Sequence, residues 1–413
     1  MRRRLNSKTR LIYLHQYYQP PEVAGNSRSH EFALRLARIG YDVHIVTSQT
    51  NGEAGSTAWS VHERDGFTVH STSVPYSANM SYSARILAFM RFAFRAGQRA
   101  RQLRGDLIYA TSTPLTIIIP AFVAKVFRRV PLVFEVRDLW PEVPIALGAL
   151  PGSFLQAAAR LLERFAYSTS THVVALSETM KEGVVRAGTL ASSVTVIPNS
   201  ADLDRFTPSL EGENPWLAEH PELEGRKLIV YCGAIGRVNG LSYLVDLADK
   251  TRHRAPELAF VIVGSGQEEA SVREYARSLG VLDVNLFLFP IVPRQDLPQV
   301  LRAASVALSL VIPVSALEAN SANKFFDGLA AGRPVGINYG GWQKKVLESN
   351  DAGIVLDPID RSRAADELVN LVYDEPRLRQ VGRNARELAE RNFSRDDAAR
   401  ALANVLESVL SVR

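Results

Sequence analysis

The stretch Asn323-Lys324-Phe325-Phe326-Asp327-Gly328-Leu329-Ala330-Ala331-Gly332-Arg333-Pro334-Val335-Gly336-Ile337 reads as a loop end, a short helix, a turn and a buried strand. Asn323 is expected to cap the helix, Gly332 to end it in a left-handed conformation, and Pro334 to block any continuation into the apolar strand. Lys324 and Asp327 lie three apart and so share one face near the helix start. A cation beside free helix N–H groups suits a phosphate, and a carboxylate one turn further in can accept from two vicinal hydroxyls of a ribose or sugar. The plainer reading is an ion pair on an ordinary capped helix, and only the rest of the chain can choose between them.

Working outward, the same strand-then-helix rhythm recurs along the sequence. Apolar runs at Leu11 to Leu14, Val43 to Thr47, Leu107 to Ala110, Leu132 to Val136 and Thr171 to Ala175 are each followed by a helical pattern. The rhythm restarts with Leu228 to Tyr231, Ala259 to Val263, Leu286 to Phe289, Val306 to Ser309, Pro334 to Ile337 and Gly353 to Leu356. Strands alternating with helices predict parallel sheets covered on both faces. At 413 residues the chain exceeds what one core normally supports. The expected fold class is therefore α/β, with two tandem Rossmann-like domains facing a cleft. The expected divisions are residues 1–195, a Pro-bounded linker at 196–225, a second domain at 226–392 and a C-terminal helix at 393–413. That helix has apolar spacing at Ala399, Leu402, Val405, Leu406 and Leu410, and packing back on the N-terminal domain is one of its two options.

Hydrophobic content of 46% and charged content of 22% are those of an ordinary globular protein. The single cysteine, Cys232, precludes an intrachain disulfide and fits a reducing compartment. Arg2, Arg3 and Arg4 lead into a polar stretch rather than an apolar core, and no apolar run approaches membrane-spanning length, so a cytoplasmic location is expected. The formal charge of +5 suits anionic partners. Nucleic acid is not expected among them, because no zinc-ligand spacing and no basic motif with interleaved aromatics is present.

Ligands of open α/β sheets sit beyond the carboxyl ends of the strands, so the loops there carry the candidate chemistry. After the first strand, Gly25 and Asn26 open a helix and allow close backbone approach to an anion or sugar. After the strand ending near Glu135 come Arg137, Asp138, Trp140 and Glu142, which either position a sugar and stabilise charge or form a buried Arg137–Asp138 ion pair. In the second domain, Gly233, Gly236 and Arg237 lie in a Gly-rich turn that fits a phosphate cradle. Gly266 repeats the layout one unit later, and the run containing Phe289 offers backbone groups to a base edge.

Taken together these pieces resemble the retaining family 4 glycosyltransferases of the GT-B fold, in particular the bacterial O-antigen and capsule transferases of the N-acetylfucosamine transferase type. The carrying motifs are Gln19-Pro20-Pro21 to Gly25, Leu36 to Val43, Arg137-Asp138-Leu139-Trp140-Pro141-Glu142, Ile197-Pro198-Asn199, Gly264-Ser265-Gly266 and Asn323 to Val335. The resemblance implies transfer of a sugar, with retention, from a nucleotide-diphosphate donor (a UDP-sugar first) to a glycan or polyprenol-linked glycan in surface polysaccharide, lipopolysaccharide or capsule synthesis. It implies no metal and no cofactor. It gives Arg137, Asp138 and Lys324 catalytic roles; Gly233, Gly236, Arg237, Gly266, Phe289, Asn323 and Asp327 the donor; and Gly25, Asn26 and Glu142 the acceptor side. Three positions depart from the family pattern. Ala319, with Glu318 beside it, stands eight before Asp327 where relatives carry a first glutamate; Arg137 stands where they place histidine; and Ala234 and Asn239 fall where their glycine loop carries Arg and Lys. A nucleotide-sugar epimerase or hydrolase, and a non-catalytic sugar-nucleotide-binding protein, are the alternative readings.

One further segment, residues 81–104, places Ile86, Phe89, Met90 and Ala93 on one helical face and arginines on another, with Phe92 and Phe94 widening the apolar band. Two readings stand: a helix packed on the first sheet with solvated arginines, or peripheral contact with an anionic membrane surface.

Overall fold

The computed structural model describes residues 8–23, 28–50, 58–76, 80–207 and 212–411. Two units are present, one built from the N-terminal part of the chain to Pro198, less the short piece that begins at Pro21, together with the segment from Asp396 onward, the other from that piece and Asn199–Arg395.

The first unit holds strands β1 (Arg10–Leu14), β2 (Asp42–Gln49), β3 (Trp59–Arg64), β4 (Phe67–Ser73), β5 (Leu107–Thr111), β6 (Leu132–Val136), β7 (His172–Ala175) and β8 (Val194–Val196), in the order β3-β4-β2-β1-β5-β6-β7-β8. Its helices are α1 (Arg28–Arg38), α2 (Tyr82–Leu103), α3 (Ile118–Arg128), α4 (Glu142–Ala146), α5 (Ser153–Thr169) and α6 (Glu178–Arg186). Every residue of β5 and β6 is buried, as expected of strands covered on both faces. All pairings are parallel except β3 with β4, a hairpin turned at Asp65-Gly66 and absent from the sequence reading. Right-handed crossovers put α2, α3 and α5 on one face of the sheet, because β5, β6 and β7 follow each other in one direction.

Helix α2 differs from the face predicted for it. Ser81 caps it, its side chain accepting from Ala84 N. The buried side chains are Ala88, Phe92, Ala93, Ala96 and Ala100, whereas Ile86, Met90 and Phe94 point outward. The small residues face inward because α2 and α3 pack closely: a Cβ on Gly97 would lie 3.5 Å from Pro120 Cα.

The second unit holds β9 (Lys227–Ala234), β10 (Leu258–Ser265), β11 (Leu286–Phe289), β12 (Ala304–Ser309), β13 (Val335–Ile337) and β14 (Gly353–Val355), all parallel, in the order β11-β10-β9-β12-β13-β14. Its helices are α7 (Pro215–Ala218), α8 (Ser242–Thr251), α9 (Glu269–Ser278), α10 (Leu297–Ala303), α11 (Asn323–Ala330), α12 (Gly341–Asn350), α13 (Arg361–Tyr373) and α14 (Glu375–Asn392). The stretch read as a linker carries structure of its own: Trp216 on α7 and Leu223 are buried against Val261, Phe287 and Val300. Gly332 takes a φ of +64° after α11, as its role in ending the helix requires. Asn323 is not the cap; it is the first helical residue, and Ala322 precedes it with no side-chain hydrogen bond.

The last helix, α15 (Arg395–Ser411), lies with the first unit. Its Ala399, Leu402, Val405 and Leu406 are buried with Leu11, Tyr13, Phe32 and Leu36.

Candidate active site

In each sheet the strand order reverses once, between β1 and β5 in the first and between β9 and β12 in the second. Such switch points open crevices at the carboxyl ends of the strands. The second unit has a cavity of about 420 Å³ there, bounded by Gly233 and Ala234 at the end of β9, Ser265 at the end of β10, Arg294 beyond β11, and Lys324 and Asp327 on α11.

Lys324 brings an ammonium to this cavity. Its Nζ lies 4.6 Å from the centroid of the Tyr231 ring and donates to Tyr231 Oη at 2.9 Å. Oriented to suit its neighbours, the Asn239 amide accepts from Lys324 Nζ at 3.2 Å and donates to the carbonyl of Ala234 at 2.9 Å. Burial pushes the lysine down to about 8, an effect that neighbouring Cys232 partly offsets. Burial also raises the Cys232 thiol, and Asp327 adds to that shift. Gly233 leaves room for the lysine: it has a φ of +145°, and a Cβ there would stand 3.2 Å from Lys324 Cε.

Asp327 is buried, and both of its oxygens accept from Arg294, at 2.9 and 3.2 Å. The arginine is itself only 8% exposed. This fork leaves further lone pairs on the carboxylate available to a ligand hydroxyl. Arg294 was not found from sequence; the available signal was its place just past β11, on the same edge of the sheet as the other strand-end loops.

Asn323 also lines the cavity, whereas Gly236, Arg237, Gly266 and Phe289 do not. Arg237 opens a short turn and is exposed. Gly266 serves close packing, since a Cβ on it would lie 2.3 Å from the Ile235 carbonyl oxygen. Phe289 turns toward Trp216 and His220, with ring centroids 5.7 and 4.2 Å away.

In the first unit the strand ends gather a second group. Glu135 is fully buried; it accepts from Arg28 Nε at 2.9 Å, Tyr109 Oη at 2.6 Å and Thr111 Oγ1 at 2.6 Å. Burial alone would raise its carboxyl, but Arg28 first, then Arg137 and the two hydroxyls, hold it below the ordinary range. The buried ion pair is therefore Arg28–Glu135, at 2.9 Å, and not Arg137–Asp138. Arg137 is 8% exposed, and among the described residues its guanidinium forms no ion pair, while its backbone N–H donates to Ser112 Oγ. Asp138 is exposed and accepts from Thr113 Oγ1 at 3.2 Å. His15, past β1, is held neutral by burial and then by the charge of Arg137, and its Nδ1 has no partner among the described residues. Glu142 opens α4 and lines a separate cavity of about 280 Å³ with Arg160, Glu163, Arg164 and Arg186. Burial, then the charge of Glu142, pushes Glu163 up to about 7. Gly25 and Asn26 lie outside the described residues.

Two α/β units built on largely parallel sheets are the architecture of the GT-B fold. Family comparison agrees: residues 24–200 match the glycosyl transferase 4-like domain, and residues 213–388 match the glycosyl transferases group 1 domain. The chain belongs to this glycosyltransferase family. Among its relatives is the putative colanic acid biosynthesis glycosyl transferase WcaI of Escherichia coli K12, 24% identical, with 93% of this chain and 96% of WcaI aligned. The probable glycosyltransferase WbjE of Pseudomonas aeruginosa is 22% identical, over 78% of this chain and 80% of its own. HepE of Anabaena, solved with UDP and glucose, shares the fold with a TM-score of 0.73 at 16% identity, covering 97% of this chain and all of that one. WaaG, a glycosyltransferase involved in lipopolysaccharide biosynthesis, does so with a TM-score of 0.71 at 16% identity, over 96% and 99%.

Proposed function

We propose that this chain transfers a sugar from a nucleoside-diphosphate sugar, a UDP-sugar first, to a glycan or lipid-linked glycan in bacterial surface-polysaccharide assembly, with retention at the anomeric carbon and without a metal. The observation that carries the reading is the second-unit cavity, in which an ammonium at Lys324 and a preoriented carboxylate at Asp327 sit one helical turn apart at a strand-end crevice. On this reading Lys324 meets the diphosphate and stabilises the charge that develops on it as the glycosidic bond breaks. Asp327, aimed by Arg294, accepts from the ribose hydroxyls. Arg137 and Asp138 serve the reacting sugar, and Glu142 the acceptor side. The relatives named for colanic acid and lipopolysaccharide biosynthesis support the acceptor class, and HepE with bound UDP supports the donor class.

The test is incubation of purified protein with UDP-, GDP- and dTDP-sugars, with and without lipid-linked glycan acceptors, in EDTA. Expected is release of nucleoside diphosphate from one donor, rising with an acceptor, and a product whose anomeric coupling by NMR matches the donor. Release that no acceptor raises would favour hydrolysis or epimerisation, and inactivity in EDTA restored by a divalent ion would refute metal independence.

A further inference from the structure

The second unit has another cavity, of about 550 Å³, at the amino ends of β12 and β13, away from the carboxyl-end crevice that holds Lys324 and Asp327. One wall is the start of β12 with the turn 331–334 that leads from α11 into β13; the other is one face of α14. Ala303, Ala304, Ser305, Gly332 and Gly382 give it a floor of small residues. Gly382 lets α14 rest directly on the turn, since a Cβ there would lie 2.7 Å from the Gly332 carbonyl oxygen. The proposed glycosyl transfer makes no use of this space.

The rim is basic. Arg333, Arg379, Arg383 and Arg386 line the cavity, and the one carboxylate among its lining residues is Glu387. Arg333 is half-buried; its Nη2 donates to the Arg302 carbonyl at 2.7 Å, while its Nε is buried with no partner among the described residues. Burial, and then the like charge of Arg302, hold this guanidinium below its ordinary range, so the fold opposes a charge that no ion pair among the described residues offsets. Arg383 donates to the neutral amide of Gln380 and likewise forms no ion pair among the described residues. Arg379 reaches only an exposed Glu375, at 3.4 Å. Arg386 is anchored in the wall: its Nε pairs with Glu390 at 2.6 Å, and its Nη1 donates to the carbonyls of Phe206 and Ala330 at 2.5 and 2.6 Å.

Like charges gathered round one hollow favour an anion within it. A carboxylate brings two oxygens and one charge, enough for a single arginine fork. A phosphate brings more oxygens and a charge of about −1.5 to −2, and so answers several forks at once. Leu378 is the one large apolar side chain of the lining, which suits a small polar molecule. We propose that this cavity binds a small phosphorylated molecule, its phosphate or diphosphate oxygens accepting from Arg333, Arg379 and Arg383. The site is distinct from the first cavity, because the two lie at opposite ends of α11, whose eight residues span about 12 Å. It does not depend on the glycosyl-transfer reading, and its test uses no sugar donor, so either can fail alone.

The experiment is titration calorimetry of the full chain with inorganic pyrophosphate, carried out on a Lys324→Ala parent, which removes the ammonium from the first cavity. One pyrophosphate per chain is expected to bind this parent. Arg379→Gln and Arg383→Gln should each weaken that binding about tenfold. Both side chains are exposed, so the melting temperature without ligand should stay near that of the parent. Pyrophosphate should raise the melting temperature of the parent and leave that of the double glutamine variant unchanged. Sodium phosphate should displace pyrophosphate, whereas sodium acetate at the same ionic strength should only screen it. Loss of all binding in the Lys324→Ala parent, or glutamine variants that bind like that parent, would overturn the proposal. So would acetate that displaces pyrophosphate as well as phosphate does, which would reduce the site to unspecific attraction by a basic surface.

Discussion

Arg294 and Asp327 illustrate how the residue scale departs from the sequence. Asp327 could be picked out because it stands one turn from Lys324 on a helix that follows a strand. Its partner lies 33 positions earlier, and no local pattern joins them. Replacing Arg294 with alanine leaves a buried carboxylate unpaired, which should cost about 3–5 kcal/mol of stability. Urea unfolding should show Arg294→Ala with Asp327→Ala to be less damaging than the two single losses summed, because the double variant buries no lone charge. Lys324 yields a pH prediction. Its folded value of about 8 lies below the ordinary 10.5, so the fold opposes its charge; this penalty is present below about pH 8 and is relieved as pH climbs toward 10.5. A bound diphosphate favours the ammonium and so raises that value. Affinity for UDP should therefore be flat below about pH 8 and fall above it, with proton uptake on binding that calorimetry in buffers of differing ionisation enthalpy can measure. Constant affinity to pH 10 would remove Lys324 from the phosphate. Arg237 is a different case: an arginine among glycines suggests a cradle, and its turn leaves the side chain exposed and outside the lining of the second-unit cavity that holds Lys324.

Elements with one strong period could be read from sequence; those with mixed patterns could not. The five strand runs read in the first unit and the six in the second all form, because buried parallel strands are nearly continuous apolar runs. The β3–β4 hairpin escaped notice because most of β3 is exposed and polar. Helix α2 carries apolar side chains around most of its first half, broken by Ser83, Arg85 and Arg91, so a 3.6-residue period does not separate inward from outward; close packing against α3 selects its alanines. In the turn after β9, Gly233 governs where Lys324 can stand. Gly233→Ala forces a side chain into a φ of +145° against the lysine stem, at a cost of about 1–3 kcal/mol. We expect it to weaken UDP binding in titration calorimetry while circular dichroism stays that of the parent. Unchanged affinity would show that the turn does not set the lysine.

At the scale of the molecule, two tandem α/β units were legible from a rhythm that stops and restarts. The return of the chain's end was left open, because an amphipathic helix carries no address for its apolar stripe. Leu402 on α15 is fully buried in the first unit's core, far in sequence from Leu11 and Tyr13. Leu402→Ala should cost about 2–5 kcal/mol. The loss should appear in hydrogen exchange of β1 and β2, with β9 and β10 little affected; uniform deprotection of both sheets would contradict this.

Because α15 follows the whole second unit in the sequence, the order of synthesis has a consequence for the first unit. Its strands are all translated by Val196, yet the helix that covers Leu11, Tyr13 and Leu36 is made only after the whole second unit. At about 5–20 residues per second, the ribosome leaves that apolar face bare for roughly 10 to 40 s. A nascent chain stalled just before Arg395 should therefore be a chaperone client through its first unit, although every strand of both sheets has already emerged.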